Sequence, residues 1–163
     1  MNALTAVTVR RGTEADLPQV LALIKELAEY ERAAPEVENT VERMQQDGFG
    51  PQPLFGFFVA ETSEQLIGLA LYYFRYSTWK GKRLYLEDLV VSESWRGHGV
   101  GHQLFAEILR ETASTQASGV VWQVLEWNQP AIRFYEKYGA QFDTEWTNCS
   151  LSREQVAAWL ERA

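Results

Sequence analysis

The chain has 163 residues, of which 46% are hydrophobic and 23% charged, and this composition predicts a single globular domain over residues 1–163. Its 22 acidic and 15 basic residues give a formal net charge of −7, which argues against a nucleic-acid partner and suits a cationic ligand. A single cysteine excludes an intrachain disulfide, and two histidines leave no convincing zinc site. No apolar run approaches the ~20 residues of a membrane span, so we expect a cytoplasmic protein without a membrane partner.

The N-terminal half shows two helical patterns among strand-like runs. Apolar residues from Leu17 to Ala28 recur at helical spacing behind Thr13, a residue type that caps helix starts. A second helix is predicted from Thr40 to Gly48. Alternating or aromatic-rich runs predict strands at residues 5–10, 55–61 and 66–76. The last two runs flank a short polar turn and predict an antiparallel hairpin.

The stretch from Leu84 to Leu109 is the most informative part of the chain. It begins as an apolar strand, but Glu87 and Asp88 interrupt it, and a buried charge without a partner is costly. The turn R-G-H-G-V-G at 96–101 follows, and helical spacing resumes after it. Glycines and free N–H groups at a helix start favour a phosphate group. The spacing differs from the dinucleotide fingerprint and from a Walker A loop, and such a turn can also be merely a tight connection.

The C-terminal part predicts two helices and several short strands. Pro130 lies in the first turn of one helix and Gly139 just beyond its end, as helix boundaries favour. Ser152 and Gln155 have the spacing of a capping box for a final helix. Strand-like runs occupy residues 120–125, 141–146 and 147–151. The whole order, β-α-α-β-β-β-α-β-α-β-β-α, predicts an α/β protein with a mixed sheet and helices on its faces.

Several motifs together resemble a known family. The turn R-G-x-G-x-G after a strand bearing E-D resembles the acetyl-CoA pyrophosphate loop of the GNAT acyltransferases. Phrases along the chain resemble the diamine (spermidine/spermine) acetyltransferase branch of that family: K-E-L-A-E-Y-E (25–31), D-G-F-G (47–50), Y-Y-F (72–74), Y-L-E-D (85–88), E-W-N-Q-P (126–130) and F-Y-E-K-Y-G-A (134–140). The resemblance implies the GNAT fold, with about seven mostly antiparallel strands splayed at the central strand and helices on both faces. It also implies acetyl transfer from acetyl-CoA to a primary amine, without a metal.

The resemblance assigns the contacts to acetyl-CoA as well. Backbone groups of the central strand would hold the pantetheine arm and polarise the thioester, and the amides of the glycine turn would hold the pyrophosphate. The start of the helix at Pro130 would add contacts to the arm. The cofactor-binding set is Leu89, Val90, Val91, Arg96, Gly97, His98, Gly99, Val100, Gly101, His102, Asn128, Pro130, Ala131 and Tyr135.

Two residues match the catalytic positions of the family. Tyr135 matches the tyrosine near the cofactor sulfur, and we predict that it is the general acid that reprotonates the thiolate. Glu87 matches the carboxylate that accepts a proton from the amine, directly or through water. The residues alone leave other roles open. Phe134, Tyr135 and Tyr138 could simply pack a helix onto the sheet, and the carboxylates could be structural.

Carboxylates and aromatic rings at family positions around the acceptor suit alkylammonium groups. The substrate-binding set is Tyr30, Glu31, Trp79, Glu87, Asp88, Glu126, Trp127, Glu145 and Trp146. The chain departs from the polyamine pattern at Ser77, where that branch carries an acid, at Tyr138, where a basic residue is expected, and in a shorter segment after Gly139. Thialysine, another amino acid or a protein amino group is therefore an alternative acceptor, and a non-catalytic acyl-CoA-binding module is a third hypothesis. By analogy with the family, we expect a homodimer.

Overall fold

A five-stranded mixed sheet organises the larger of two units in the computed structural model, which describes residues 6–162. The units are Met1–Gln123 and Val124–Ala163. The strands are β1 (Thr8–Arg11), β2 (Gly56–Glu61), β3 (Leu66–Ser77), β4 (Gly81–Val91) and β5 (Val120–Val121). They lie side by side in that order, and every neighbouring pair is antiparallel except β4–β5, which is parallel. The predicted mixed sheet and the β2–β3 hairpin are confirmed. Thr5, placed in the first strand by the sequence, lies outside the described residues.

Three helices pack on this sheet, and their starts follow local signals. They are α1 (Leu17–Tyr30), α2 (Val41–Phe49) and α3 (Val100–Ser114), accompanied by short 3₁₀ turns at Glu14–Asp16, Ala34–Glu36 and Glu93–Trp95. The Thr40 hydroxyl accepts a hydrogen bond from the Arg43 N–H at 3.2 Å, which satisfies one free donor at the start of α2. Thr13 donates its N–H and its O–H to the Asp16 carboxylate at 2.7 and 3.0 Å, just before α1 begins. Both predicted helix starts are therefore confirmed.

Helices cover both faces of the sheet, as predicted. The cluster that includes α1 and α2 buries Leu69, Leu71 and Val90 on one face. Neighbouring strand residues point to the opposite face, where a side chain at Gly68 would come within 2.9 Å of Leu104 in α3. Strand β4 is thus held between two helical layers. Its C-terminal end leads through a short loop into α3.

The second unit contains two helices, α4 (Gln129–Glu136) and α5 (Arg153–Leu160). Asn128 caps α4 by accepting a hydrogen bond from the Ala131 N–H at 3.3 Å. The capping box of α5 is confirmed: the Ser152 hydroxyl accepts from the Gln155 N–H at 3.2 Å, and the Gln155 side chain accepts from the Ser152 N–H at 2.8 Å.

Three strand predictions near the C-terminus are wrong in extent or in kind. No strand forms at 141–146 or 147–151, where the side chains are exposed and the backbone pairs with no strand among residues 6–162. The strand predicted for 120–125 shortens to β5, which pairs with β4 at Leu84 and Tyr85 alone. Beyond Tyr85, β4 carries a bulge, and a bulge bends its strand away from a neighbour. The described chain therefore has five strands where about seven were expected.

Candidate active site

The glycine-rich loop forms an exposed start to helix α3. Gly97 and Gly99 have φ angles of +79° and +81°, which other residues adopt only with strain. A side chain added at either position would meet nothing within 4 Å, so the space above the loop is open. Val100 begins a helix of 15 residues, whose first N–H groups and dipole favour an anion. The predicted residues 96–102 thus come together in a loop that fits a phosphate group.

Arg96 connects this loop to two other elements. Its Nε donates a hydrogen bond to the Val91 carbonyl at the end of β4, at 3.0 Å. Its guanidinium carbon lies 4.8 Å from the centre of the Tyr30 ring, at the end of α1. The Arg96 carbonyl in turn lies 2.9 Å from Nδ1 of His98. The side chain is exposed beside the loop, so its charge is available to an anion held there.

Glu26 is a supporting residue that the sequence analysis did not identify. Its carboxylate accepts hydrogen bonds from the Ser92 hydroxyl and the Glu93 N–H, both at 3.1 Å. Helix α1 therefore holds the turn that precedes the glycine loop. A signal was present in the sequence, because Glu26 lies one helical turn before Tyr30 and shares its face of α1.

The central strand opens beyond its short pairing with β5. Among residues 6–162, β5 pairs with β4 only at Leu84 and Tyr85, so the remainder of that edge of β4 has no strand neighbour. The segment Leu89–Val91, predicted to hold the pantetheine arm, lies in this open part. An unpaired strand edge offers N–H and C=O groups to an extended ligand.

A β-bulge sets the positions of the two strand carboxylates. The register between β3 and β4 pairs Leu71 with Asp88 and Tyr72 with Leu86, which leaves Glu87 as the extra residue. Glu87 is exposed, whereas Asp88 is partly buried. The bulge thus turns adjacent acids into one solvated and one sheltered carboxylate.

Glu31, Glu87 and Asp88 form what we call the carboxylate cluster. Burial, together with the negative charges of Glu87 and Glu31, raises the pKa of Asp88 to about 7. Burial also raises the pKa of Glu31. Within residues 6–162, the Asp88 carboxylate has no hydrogen bond or ion pair that would offset these effects. The cluster is therefore a negative site without an internal cation.

Two tyrosine rings extend the cluster along the sheet. The centres of Tyr73 and Tyr85 lie 5.1 Å apart with their planes tilted by 31°. Trp79, in contrast, is 84% exposed in the turn between β3 and β4. Six residues of β3 separate that turn from the level of Asp88, or about 20 Å of strand. The structure does not bring Trp79 to the carboxylate cluster within this chain.

The remaining predicted residues lie in the second unit. Tyr135 is 7% exposed on α4, and its ring meets that of Phe134 edge-on at 5.2 Å. Asn128 is 8% exposed, and its side chain caps α4, whose first turn contains Pro130 and Ala131. The other predicted substrate contacts in this unit are exposed, namely Glu126, Trp127, Glu145 and Trp146.

The described part of the chain shows neither a metal-binding group nor a membrane-spanning helix. No group of three or more histidine, cysteine, aspartate or glutamate side chains in residues 6–162 is arranged to hold a metal ion. In the same range, no helix combines the length and the apolar character needed to cross a membrane.

Comparisons with known proteins agree with the geometry of the loop. The sequence profile of the acetyltransferase (GNAT) family matches residues 20–140. The chain is 37% identical to the thialysine N-epsilon-acetyltransferase of Bos taurus, over 85% of this chain and 86% of that one. It is 34% identical to the spermidine/spermine N(1)-acetyltransferase-like protein 1 of Homo sapiens, over 94% of this chain and 24% of that one. An aminoglycoside acetyltransferase from an uncultured soil metagenomic sample shares the fold, with a TM-score of 0.76, 21% identity and coverage of 90% of this chain and 97% of that one.

Proposed function

The chain belongs to the acetyltransferase (GNAT) family, and from this membership we propose that it transfers acetyl from acetyl-CoA to a primary amine of a small cationic acceptor. The observation that supports this function best is the carboxylate cluster. It has no cation of its own in residues 6–162, and its member Glu31 directly follows Tyr30, which contacts Arg96 of the glycine loop. The names of the bovine and human relatives, which refer to thialysine and to spermidine/spermine, agree with an amine acceptor.

The glycine loop is proposed to bind the diphosphate of acetyl-CoA. The amides of 97–102 and the guanidinium of Arg96 would supply the donors and the positive charge. The open edge at Leu89–Val91 would take the pantetheine arm through backbone hydrogen bonds, and the start of α4, from Asn128 to Ala131, would add contacts to it. The open space above Gly97 and Gly99 fits such a ligand.

The carboxylate cluster is proposed to attract the acceptor and to remove its proton. An alkylamine is mostly protonated near neutral pH, because its pKa is about 10, and only the neutral form attacks a carbonyl. The family resemblance assigns this proton to Glu87. The structure adds Asp88 as a second candidate, because its pKa of about 7 matches a base that works near neutral pH. We assign the proton to Asp88, whose pKa is kept high by burial and then by the charge of Glu87.

The chemical step is a direct attack. The amine nitrogen forms a bond to the thioester carbonyl carbon, the carbon–sulfur bond breaks, and coenzyme A leaves as the thiolate. Tyr135 is proposed to donate its phenolic proton to that thiolate, since the two groups have similar basicity. The ammonium form of the acceptor gives one proton to Asp88 before the attack. The nitrogen loses a second proton as the amide forms, and this proton returns through solvent to the Tyr135 phenolate.

An amine panel tests the proposed function. Spermidine, putrescine, thialysine and a lysine peptide are each incubated with acetyl-CoA, and release of the coenzyme A thiol is measured. We expect release with at least one small amine, and loss of that release in Asp88→Asn. Coenzyme A binding without thiol release for every amine would contradict the function and favour a non-catalytic acyl-CoA-binding module. If the acid limb of the pH profile of kcat/KM moves in Glu87→Gln but not in Asp88→Asn, Glu87 is the residue that accepts the proton.

A further inference from the structure

One face of the β3–β4 ladder carries acidic, aromatic and basic side chains in succession. Residues opposite each other in an antiparallel pair project to the same face, and so do alternate residues of one strand. The register gives three successive pairs on that face: Leu71 with Asp88, Tyr73 with Tyr85, and Arg75 with Arg83. The tyrosine pair therefore lies between a carboxylate and two guanidinium groups.

Arg75 leans back toward the acidic end of this face. Its guanidinium carbon lies 5.4 Å from the centre of the Tyr85 ring, one pair closer to Asp88. The side chain is exposed and forms no ion pair within residues 6–162. Its neighbour Arg83 has a buried Nε without a hydrogen-bond partner in the same range. Two positive charges therefore lie beyond the tyrosines without a carboxylate to neutralise them.

We infer that this face selects an acceptor that carries a carboxylate as well as an amine. Asp88 and its neighbours hold the amine, the rings of Tyr73 and Tyr85 contact the methylene chain, and Arg75 binds the carboxylate. The inference depends on the proposed function and narrows its acceptor to amino acids with a side-chain amine, such as lysine or ornithine. A diamine would instead place its second ammonium near Arg75, where two positive charges repel.

The dimensions of the face agree with such a molecule. Four residues of β3 separate the level of Asp88 from that of Arg75, or about 13 Å at ~3.3 Å per residue. An arginine side chain that leans back shortens this span by about 6 Å, given carbon–carbon bonds of ~1.5 Å. The remaining ~7 Å matches the distance between the side-chain amine and the carboxylate of an extended lysine, which six such bonds separate.

Matched substrates isolate the contribution of the carboxylate. Cadaverine is lysine without its carboxylate, and putrescine is ornithine without its carboxylate. The wild-type chain is expected to use lysine and ornithine with about tenfold higher kcat/KM than the corresponding diamines, as one charge-assisted hydrogen-bonding contact allows. Arg75→Ala should remove this preference by lowering kcat/KM for the two amino acids while leaving that for the diamines unchanged or higher. Arg75→Lys should give an intermediate ratio, because it keeps the charge but lacks the planar fork.

Lys82→Ala is the matched control. Lys82 is also an exposed cation of the hairpin, but its pairing with Tyr76 places it on the opposite face, 4.9 Å from the centre of the Phe74 ring. Its removal changes the net charge equally and should leave the ratio of lysine to cadaverine unchanged. An equal change in Lys82→Ala would show a general charge effect and overturn the assignment to Arg75.

The outcomes also separate this inference from the proposed function. A wild-type chain that prefers the diamines, or an unchanged ratio in Arg75→Ala, would overturn the role of Arg75 while leaving amine acetylation intact. Failure to acetylate any of these four amines would overturn this inference, whereas the proposed function itself would be contradicted only if spermidine and thialysine also gave no thiol release while coenzyme A still bound. Coenzyme A affinity measured on Arg75→Ala confirms that the variant is folded.

Discussion

Replacing Asp88 by asparagine is expected to stabilise the free protein at alkaline pH while lowering its activity. The pKa of Asp88 is raised from 3.8 to about 7, mainly by burial and then by Glu87 and Glu31. The folded chain therefore binds this proton more tightly than the unfolded chain. Stability is highest below pH 4 for this group and falls as pH rises from about 4 to about 7. The asparagine side chain does not titrate in this pH range, so the variant does not lose this stability as pH rises.

The magnitude follows from the size of the shift. One pKa unit corresponds to ~1.4 kcal/mol, so the full shift corresponds to about 4 kcal/mol above pH 7. Between pH 5 and pH 8 the stability lost by the wild type is about 2 to 3 kcal/mol, and partial exposure of the carboxylate places the expected value at the lower end. For a chain of 163 residues, 1 kcal/mol moves Tm by about 2–4 °C. The Tm advantage of Asp88→Asn should therefore be about 5 °C larger at pH 8 than at pH 5.

Thermal unfolding of both proteins at the two pH values measures this difference. The comparison between pH values cancels any pH-independent cost of the asparagine itself. Glu29→Gln is a suitable control, because Glu29 is an exposed carboxylate in the last turn of α1, two residues before Glu31. A Tm difference between wild type and Asp88→Asn that is the same at pH 5 and pH 8 would refute the sheltered, cation-free environment of Asp88.

Substitutions at three further residues test other parts of the structure. Asp16→Asn should lower the free energy of unfolding by about 2 kcal/mol at pH 7, measured by urea unfolding, because hydrogen bonds from Arg10 lower the pKa of Asp16 to about 2. The wild type should lose this stability as pH falls from about 4 to 2. An unchanged urea midpoint in the variant at pH 7 would argue against the ion pair. Glu26→Ala should weaken coenzyme A binding about fivefold in calorimetry, whereas Glu26→Gln, which still accepts hydrogen bonds, should bind normally; equal weakening would show that charge matters instead. Tyr135→Phe should lower kcat with coenzyme A affinity retained, and unchanged turnover would remove the general-acid role.

Features set by neighbouring residues were predictable from the sequence. The start of α2 at Thr40 and the capping box at Ser152 depend on residues three positions apart. The positive φ angles of Gly97 and Gly99 follow from a turn that only glycine adopts readily. These signals are local, so the loop at the start of α3 could be identified before its geometry was known.

Features set by strand pairing were not predictable in the same way. The bulge at Glu87 depends on the register with β3, which no short stretch of sequence encodes. The same register places Arg75 and Tyr85 on the face of Asp88, so the basic end of this face was missed. The two strands predicted within residues 141–151 failed for the related reason that an apolar run forms a strand only where a partner is available.

Two expectations about the whole molecule stay predictions. The homodimer is expected from the family resemblance, and the cytoplasmic location is expected from the composition. The structure of a single chain tests neither expectation. The single-domain organisation also stays a prediction, because the chain divides into two compact units, Met1–Gln123 and Val124–Ala163.

Amide NMR during a titration with coenzyme A tests the central claim, that backbone groups at the start of α3 bind the diphosphate. We expect the largest shifts at the amides of 97–102, with Arg96 affected beside them. Titration with pantetheine, which lacks the diphosphate, should leave the chemical shifts of these amides unchanged. If coenzyme A saturates the protein while the chemical shifts of the amides of 97–102 stay unchanged, the claim that these amides bind the diphosphate is contradicted.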